Sequence, residues 1–269
     1  MGLSDHDHTL VMGALNVTPD SFSDGGRFLE MDAAIARGLE FYAEGADLVD
    51  VGGESTRPGA EPISARTEIE RVVPVIAALA AKGVVVSIDT SKAEVAAAAL
   101  EAGALVVNDV TALGDPEMAG LVAEWGAGLV LVHMQGEPRT MQHDPQYDDV
   151  VEDVARALEA TAASAVDAGV RRESICLDPG IGFGKTLAHN LDLLALGVSR
   201  LTERGFPVLV GASRKSFIAK ILGEIDDRDA ASAAAHVLAI ASGASIVRSH
   251  NVVMALRTAR IADAIVRGL

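Results

Sequence analysis

Cysteine and aromatic residues are scarce in this chain of 269 residues, and so is positive charge. Cys176 is the single cysteine, so no disulfide can form within the chain, which fits a reducing, cytoplasmic compartment. Aromatic side chains make up 3%, which leaves Ala, Val, Ile and Leu to build the core. No apolar run approaches the ~18 residues of a membrane-spanning helix. The opening MGLSDHDHTL has no basic segment followed by an apolar one, so neither a span nor a secretory leader is expected. Lys and Arg number 22 against 38 Asp and Glu, a net charge of -16. Such a field excludes nonspecific attraction to nucleic acid or to anionic membranes, although a local group of cations can still hold an anionic small molecule. A salt-rich environment or a solubility demand would each account for the acidity.

What the chain does have is a regular alternation. Hydrophobic residues are 49% and charged residues 22%, the balance of a folded globular protein. Short β-branched runs fall at 10–15, 47–51, 84–88, 104–107, 128–132, 174–177, 207–210 and 245–247. Ala-rich helical stretches follow them at 32–44, 65–81, 92–102, 116–125, 149–168 and 191–204, then at 213–221 with 229–241, and at 252–266. Strands that read as continuous apolar runs are covered on both faces, as in a parallel sheet. Eight strand–helix units in a chain of this length predict an α/β fold of the (β/α)8 TIM-barrel type, a single domain over 1–269. An open doubly wound sheet would usually carry GxGxxG after its first strand, and none is present. The longest connections, 16–31, 52–64 and 133–148, all follow strands, on the side where barrels build their sites.

Every predicted strand ends in chemically pointed residues: Asn16, then Asp50 with Glu54, Asp89, Asn108 with Asp109, and His133. The last three end in Asp178, in Ser213-Arg214-Lys215, and in Arg248 with His250. Solvation accounts for any one polar strand end; eight at one mouth point to a ligand. Asp89, Asn108 and Asp178 offer acceptors, and Asn108 also a donor, to a flat heterocycle rich in N–H groups. Buried carboxylates without a partner are costly, so such a ring is their natural complement; pairing with Lys215 alone is the competing account. Arg57, Lys215, Arg248 and His250 suit phosphate oxygens. Residues 211–216 open a helix whose free N–H groups attract an anion, with Ser213 or Ser216 as cap.

The loops 16–26 and 52–59 are flexible turns by composition and lids by length. The GxGxG of 180–184 is weak alone, and His6, His8 and His143 lack paired metal-ligand spacing. Cys176 reads as a small core residue, Ser55 and Ser213 lack a nucleophile's His/Asp context, and Trp125 reads as packing in the core or at a helix end.

The strings MGALNVTPDSFSDGG (12–26), DVGGESTRPGA (50–60), SIDTSK (87–92), NDV (108–110), LDPGIGFGK (177–185), GASRKSF (211–217) and VRSHNV (247–252) carry a resemblance. As a set they resemble the dihydropteroate synthases, from the first strand to the last helix. The resemblance implies a pterin-binding barrel, an assembly as homodimer, and competition by sulfonamides. It implies that Asn16 contacts the pyrophosphate and its Mg2+, and that Asp89, Asn108, Asp178 and Lys215 hold the pterin beside Met134 and Phe183. Arg248 and His250, with Thr56 and Arg57, would bind the leaving pyrophosphate. Ser216, with Arg214 and Phe22, would receive para-aminobenzoate, while Asp24 and Arg57 would close over the site. The chain departs from many relatives at Ser249 and Asn251, which flank Arg248 and His250 without replacing them.

The activity so implied joins 6-hydroxymethyl-7,8-dihydropterin pyrophosphate to para-aminobenzoate, with Asp89, Asp178, Lys215, Arg248 and His250 carrying the catalysis. Two other readings share the ring-binding acids: a pterin-dependent methyltransferase, and a paralogue that binds pterins without catalysis. A methyltransferase would have no use for the cations at Lys215, Arg248 and His250.

Overall fold

Alternation along each strand organises the molecule. The computed structural model of the protein describes residues 7–18, 27–56, 59–223 and 225–268. Its elements run β1 (Leu10–Asn16), α1 (Arg27–Glu44), β2 (Leu48–Gly52), α2 (Ala65–Ala80), β3 (Val86–Thr90), α3 (Ala93–Glu101), β4 (Val106–Asp109), α4 (Met118–Trp125), β5 (Gly128–Val132) and α5 (Val150–Asp167). There follow β6 (Ile175–Asp178), α6 (Leu187–Asp192), a π-helical turn (Leu193–Gly197), α7 (Val198–Thr202), β7 (Leu209–Val210), α8 (Ser216–Leu222), α9 (Asp229–Ala241), β8 (Ile246–Ser249) and α10 (Val252–Val266).

The eight strands are parallel, in the order β6-β5-β4-β3-β2-β1-β8-β7. A bridge between Leu177 and Val208, with the Leu177 N–H donating to the Pro207 carbonyl at 2.9 Å, joins β6 to the segment entering β7 and closes the barrel. One face of each strand packs outward on the helices: Val49, Val51, Val86, Val107, Leu129 and Ile175 belong to the main core. The other face fills the barrel, where Met12, Leu48, Val106, Val130, Cys176 and Ile246 form a separate apolar plug.

Because side chains alternate with period two, the residue two positions beyond each plug member is also inside the barrel, one layer higher. Leu48 is followed there by Asp50, Val106 by Asn108, Cys176 by Asp178 and Ile246 by Arg248. A polar layer thus lies on the apolar one.

Several strands run later than the sequence periodicity predicts: β3 covers Val86–Thr90 and β4 Val106–Asp109. Asp89, Asn108, Asp178 and Arg248 therefore sit within strands, where ladder hydrogen bonds fix them, rather than on loops. The helix expected at 191–204 begins earlier, because Thr186 and His189 form a reciprocal cap, and it is broken by the π turn. Trp125 lies half exposed at the end of α4, a helix-end residue rather than a core one. Among the described residues no helix is long and apolar enough to cross a membrane.

Candidate active site

Arg248 links three strands. Its Nε donates to Asp50 Oδ2 at 2.6 Å and its Nη2 to Asp89 Oδ2 at 2.7 Å. The Asn108 carboxamide donates to the same Asp50 oxygen at 3.0 Å. Asp50 is fully buried and Asn108 nearly so, and the second carboxylate oxygen of Asp50 and the carboxamide oxygen of Asn108 have no partner among the described residues. Burial works against the Arg248 charge, but Asp50 and Asp89 outweigh it and hold its pKa above the usual guanidinium value. Burial pushes the Asp89 carboxyl up to about 7, against the pull of Arg248.

Asp178 accepts the Gly180 N–H at 2.7 Å, and burial raises its carboxyl to about 6 against that bond and the nearby Lys215. Lys215 carries its ammonium 3.9 Å from the centroid of the Phe183 ring, a cation–π contact. Burial and the neighbouring Arg248 draw its pKa down to about 8, with Asp178 and Asp89 opposing. The acids are not held by Lys215 alone, as one reading of the sequence had it: Asp89 pairs with Arg248, and Asp178 with a backbone amide.

Ser213 ties β7 to β8, accepting the His250 N–H at 3.2 Å and lying 3.1 Å from His250 Nδ1. With its hydroxyl so engaged, Ser213 does not cap α8, nor does Ser216; Lys215 occupies the cap position without a side-chain cap bond. Arg214, held at φ 57°, forks onto Asp229 at 2.7 and 2.9 Å. Asn251 explains one of the sequence departures. Its oxygen caps α10 by accepting the Met254 N–H, and its amide donates to Asp229 at 2.8 Å, which an aspartate could not do without a proton.

These groups surround a cavity of about 530 Å³ whose wall includes Asn16, Thr56, Asp89, Phe183, Lys215 and Arg248. His250, Arg214 and Ser216 reach the same cavity. A second hollow of about 420 Å³ meets it at Ser55, Thr56 and Asp89 and carries Met134. Asn108 and Asp178 lie beneath, at the end of the polar layer. Phe22, Asp24 and Arg57, expected at the mouth, are outside the described residues.

Sequence reasoning gave no role to Lys92, Glu68, Thr90 or Lys185, which brace this site. Lys92 pairs with Glu54 and, at 2.6 Å, with the buried Glu68, whose other oxygen accepts the Thr90 hydroxyl at 2.8 Å. This network secures the segment leading to Thr56. Lys185 is likewise buried behind Phe183. Its only sequence signal was its place at the end of LDPGIGFGK.

The fold, the inward-facing acids and the rim of cations suit a donor-rich ring with an anionic arm. The family described as pterin binding enzyme matches residues 12–250, and the chain belongs to it. Within that family the relatives are dihydropteroate synthases. That of Synechocystis sp. is 45% identical over 263 residues, covering 96% of this chain and 91% of the relative. That of Escherichia coli K12 is 43% identical over 97% of this chain and 93% of its own length. A probable bifunctional folylpolyglutamate synthase/dihydropteroate synthase of Haloferax volcanii is 47% identical over 92% of this chain, which spans only 29% of that protein's length. The crystal structure of Yersinia pestis dihydropteroate synthase with a sulfonamide drug superposes with a TM-score of 0.92 at 43% identity, covering 98% of this chain and 96% of the other. The Xanthomonas albilineans enzyme in complex with 7,8-dihydropteroate gives 0.87 at 42%, covering 98% and 95%.

Proposed function

We propose that this chain condenses 6-hydroxymethyl-7,8-dihydropterin pyrophosphate with para-aminobenzoate to give 7,8-dihydropteroate and pyrophosphate. The observation that carries the reading is one cavity in which Asp89 meets Lys215, Arg248 and His250, so that acceptors for a donor-rich ring adjoin donors for a diphosphate. The unpartnered buried oxygens of Asp50 and Asn108 add acceptors just below.

The reaction is a displacement at the pterin methylene. Asp89, Asp178 and Asn108 hold the ring, and Phe183 and Met134 pack beside it. Carboxylates favour the positive charge that spreads over ring and methylene as the diphosphate departs. Arg248 and His250, with Arg57 and Thr56, take up the charge on the leaving group. The diphosphate must compete for Arg248 with Asp50 and Asp89, so its binding frees Asp89 for the ring. Ser216 and Arg214 receive the carboxylate of para-aminobenzoate, a role the sequence resemblance extends to Phe22, with closure assigned to Asp24, both outside the described residues. The neutral arylamine attacks the methylene as the diphosphate leaves and then gives up its proton to solvent. A sulfonamide competes for the same place.

Asn16 supports a magnesium site of a particular kind. The described residues hold no group of three His, Cys, Asp or Glu able to cage an ion. Magnesium keeps waters and is commonly held by one or two protein oxygens together with substrate phosphates, so the Asn16 carboxamide fits an ion that arrives with the diphosphate. Bound there, magnesium would neutralise charge building on the leaving group.

Leu238 on α9 and Ile261 and Ile265 on α10 are more than 60% exposed, on two helices packed against each other. An apolar face of this kind supports a homodimer, in a cytoplasmic protein. The decisive measurement is pyrophosphate release: it should require both substrates and Mg2+. Pterin binding without any release would overturn the catalytic reading.

A further inference from the structure

Lys185 is 1% exposed, yet the partners of its ammonium among the described residues include no carboxylate. Its ammonium instead donates to the Phe183 carbonyl at 2.9 Å and the His133 carbonyl at 3.3 Å, and lies 3.1 Å from His133 Nδ1. Burial, with the charge of Lys185, pushes the His133 pKa down to about 3, so the ring is neutral and its nitrogen can accept. Three acceptors thus meet the three N–H donors of a charged lysine, and neutral lysine would leave one unmet. Both carbonyls belong to the segments that present Met134 and Phe183, and Phe183 in turn carries Lys215 on its ring.

The same two segments are pressed together elsewhere. A Cβ on Gly180 would stand 1.9 Å from the His133 carbonyl oxygen, and one on Gly184 2.3 Å from that of Gln135. The Tyr147 hydroxyl donates to the Gly184 carbonyl at 2.9 Å.

We propose that Lys185 is a positioning residue of the pterin site: its ammonium locks the segments behind Met134 and Phe183 to one another and sets a positive charge near Asp178. Asp178 on β6, Lys215 before α8, His133 after β5 and Tyr147 face Lys185; Lys215 and Arg248 act on Asp178, Asp153 acts on His133, and His189 on α6 contacts Tyr147. Asp178 favours the ammonium, while burial and Lys215 oppose it and bring its pKa to about 7.

The inference rests on the pterin reading, and the test separates the two. Binding of the fluorescent 6-hydroxymethylpterin to the full chain is measured against pH, alongside KM for both substrates. If the unmodified protein binds no pterin, the site reading itself falls. If it binds, Lys185→Met should weaken pterin about 10- to 100-fold, the scale of a misplaced site. KM for para-aminobenzoate at saturating pterin should hold, and the acid-side loss of affinity should move to higher pH, because Asp178 has lost a cation. Lys185→Gln, which keeps two donors for the carbonyls, serves if the methionine variant does not fold and should show the same pH displacement with a smaller loss. Wild-type affinity and pH profile in either folded variant, or an equal loss of every parameter with the profile unmoved, would overturn the proposal.

Discussion

The lower and upper layers of the barrel interior share β2, β4, β6 and β8, one side-chain step apart, and they behave as opposites. Below, Met12, Leu48, Val106, Val130, Cys176 and Ile246 exclude water and ask nothing of one another beyond volume. Above, Asp50, Asp89, Asn108, Asp178 and Arg248 depend on specific partners, and part of their hydrogen-bonding capacity is unmet. A backbone of one geometry thus supports a plug that stabilises and a layer that costs stability. What separates them is the identity of alternate residues.

The strongest way to break that contrast is Arg248→Ala. It strands Asp50 and Asp89 as buried acids, and removing one partner of such a group costs about 3–5 kcal/mol. Thermal unfolding should show the deficit, which should shrink as pH falls and the stranded Asp89 takes up a proton, and turnover should be lost as well. Asp89→Ala or Lys215→Ala should cut turnover about 10²–10³-fold, the scale of one lost preorganised electrostatic contact, while circular dichroism remains that of the folded protein. Wild-type-like activity in either would remove that residue from the site.

Acidification gives a graded version. The acceptors that hold the ring are ionised carboxylates, and burial has raised them to about 7 at Asp89 and about 6 at Asp178. Pterin affinity should therefore fall as pH drops through 7 and then 6, approaching about tenfold per unit once a carboxyl is mostly protonated. Titration calorimetry across that window measures it, and a flat profile would mean that the acids do not bind the ring in ionised form. The lower layer should respond in the opposite sense. Cys176→Ser places a hydroxyl in the plug and should cost about 1–3 kcal/mol of stability while leaving turnover of the folded fraction intact. Lost catalysis in the folded serine variant would show that the plug is not chemically silent.

The barrel was legible because apolar runs and helical stretches alternate eight times, and the strand ends were legible because polar residues close those runs. Arg248 was placed with the cations for the diphosphate. Its grip on Asp50, 198 positions away in the chain, depends on β8 lying beside β1 and β1 beside β2, which no local pattern encodes. Glu68 and Lys92 escaped notice for the same reason: each sits on or at the start of a helix, where a charge normally reads as solvated surface, yet the fold turns Glu68 fully inward. The cap of α8 was misplaced because Ser213 finds a better partner in His250 across the mouth.

The closeness of Gly180 and Gly184 to the carbonyls of His133 and Gln135 also limits what can change here. With positive φ at both positions and no room for one added carbon, neither site tolerates another residue without moving two segments at once. Variation that alters how this pocket discriminates among ligands must therefore enter through the rim, leaving the back wall as the part a ligand can rely on to stay the same.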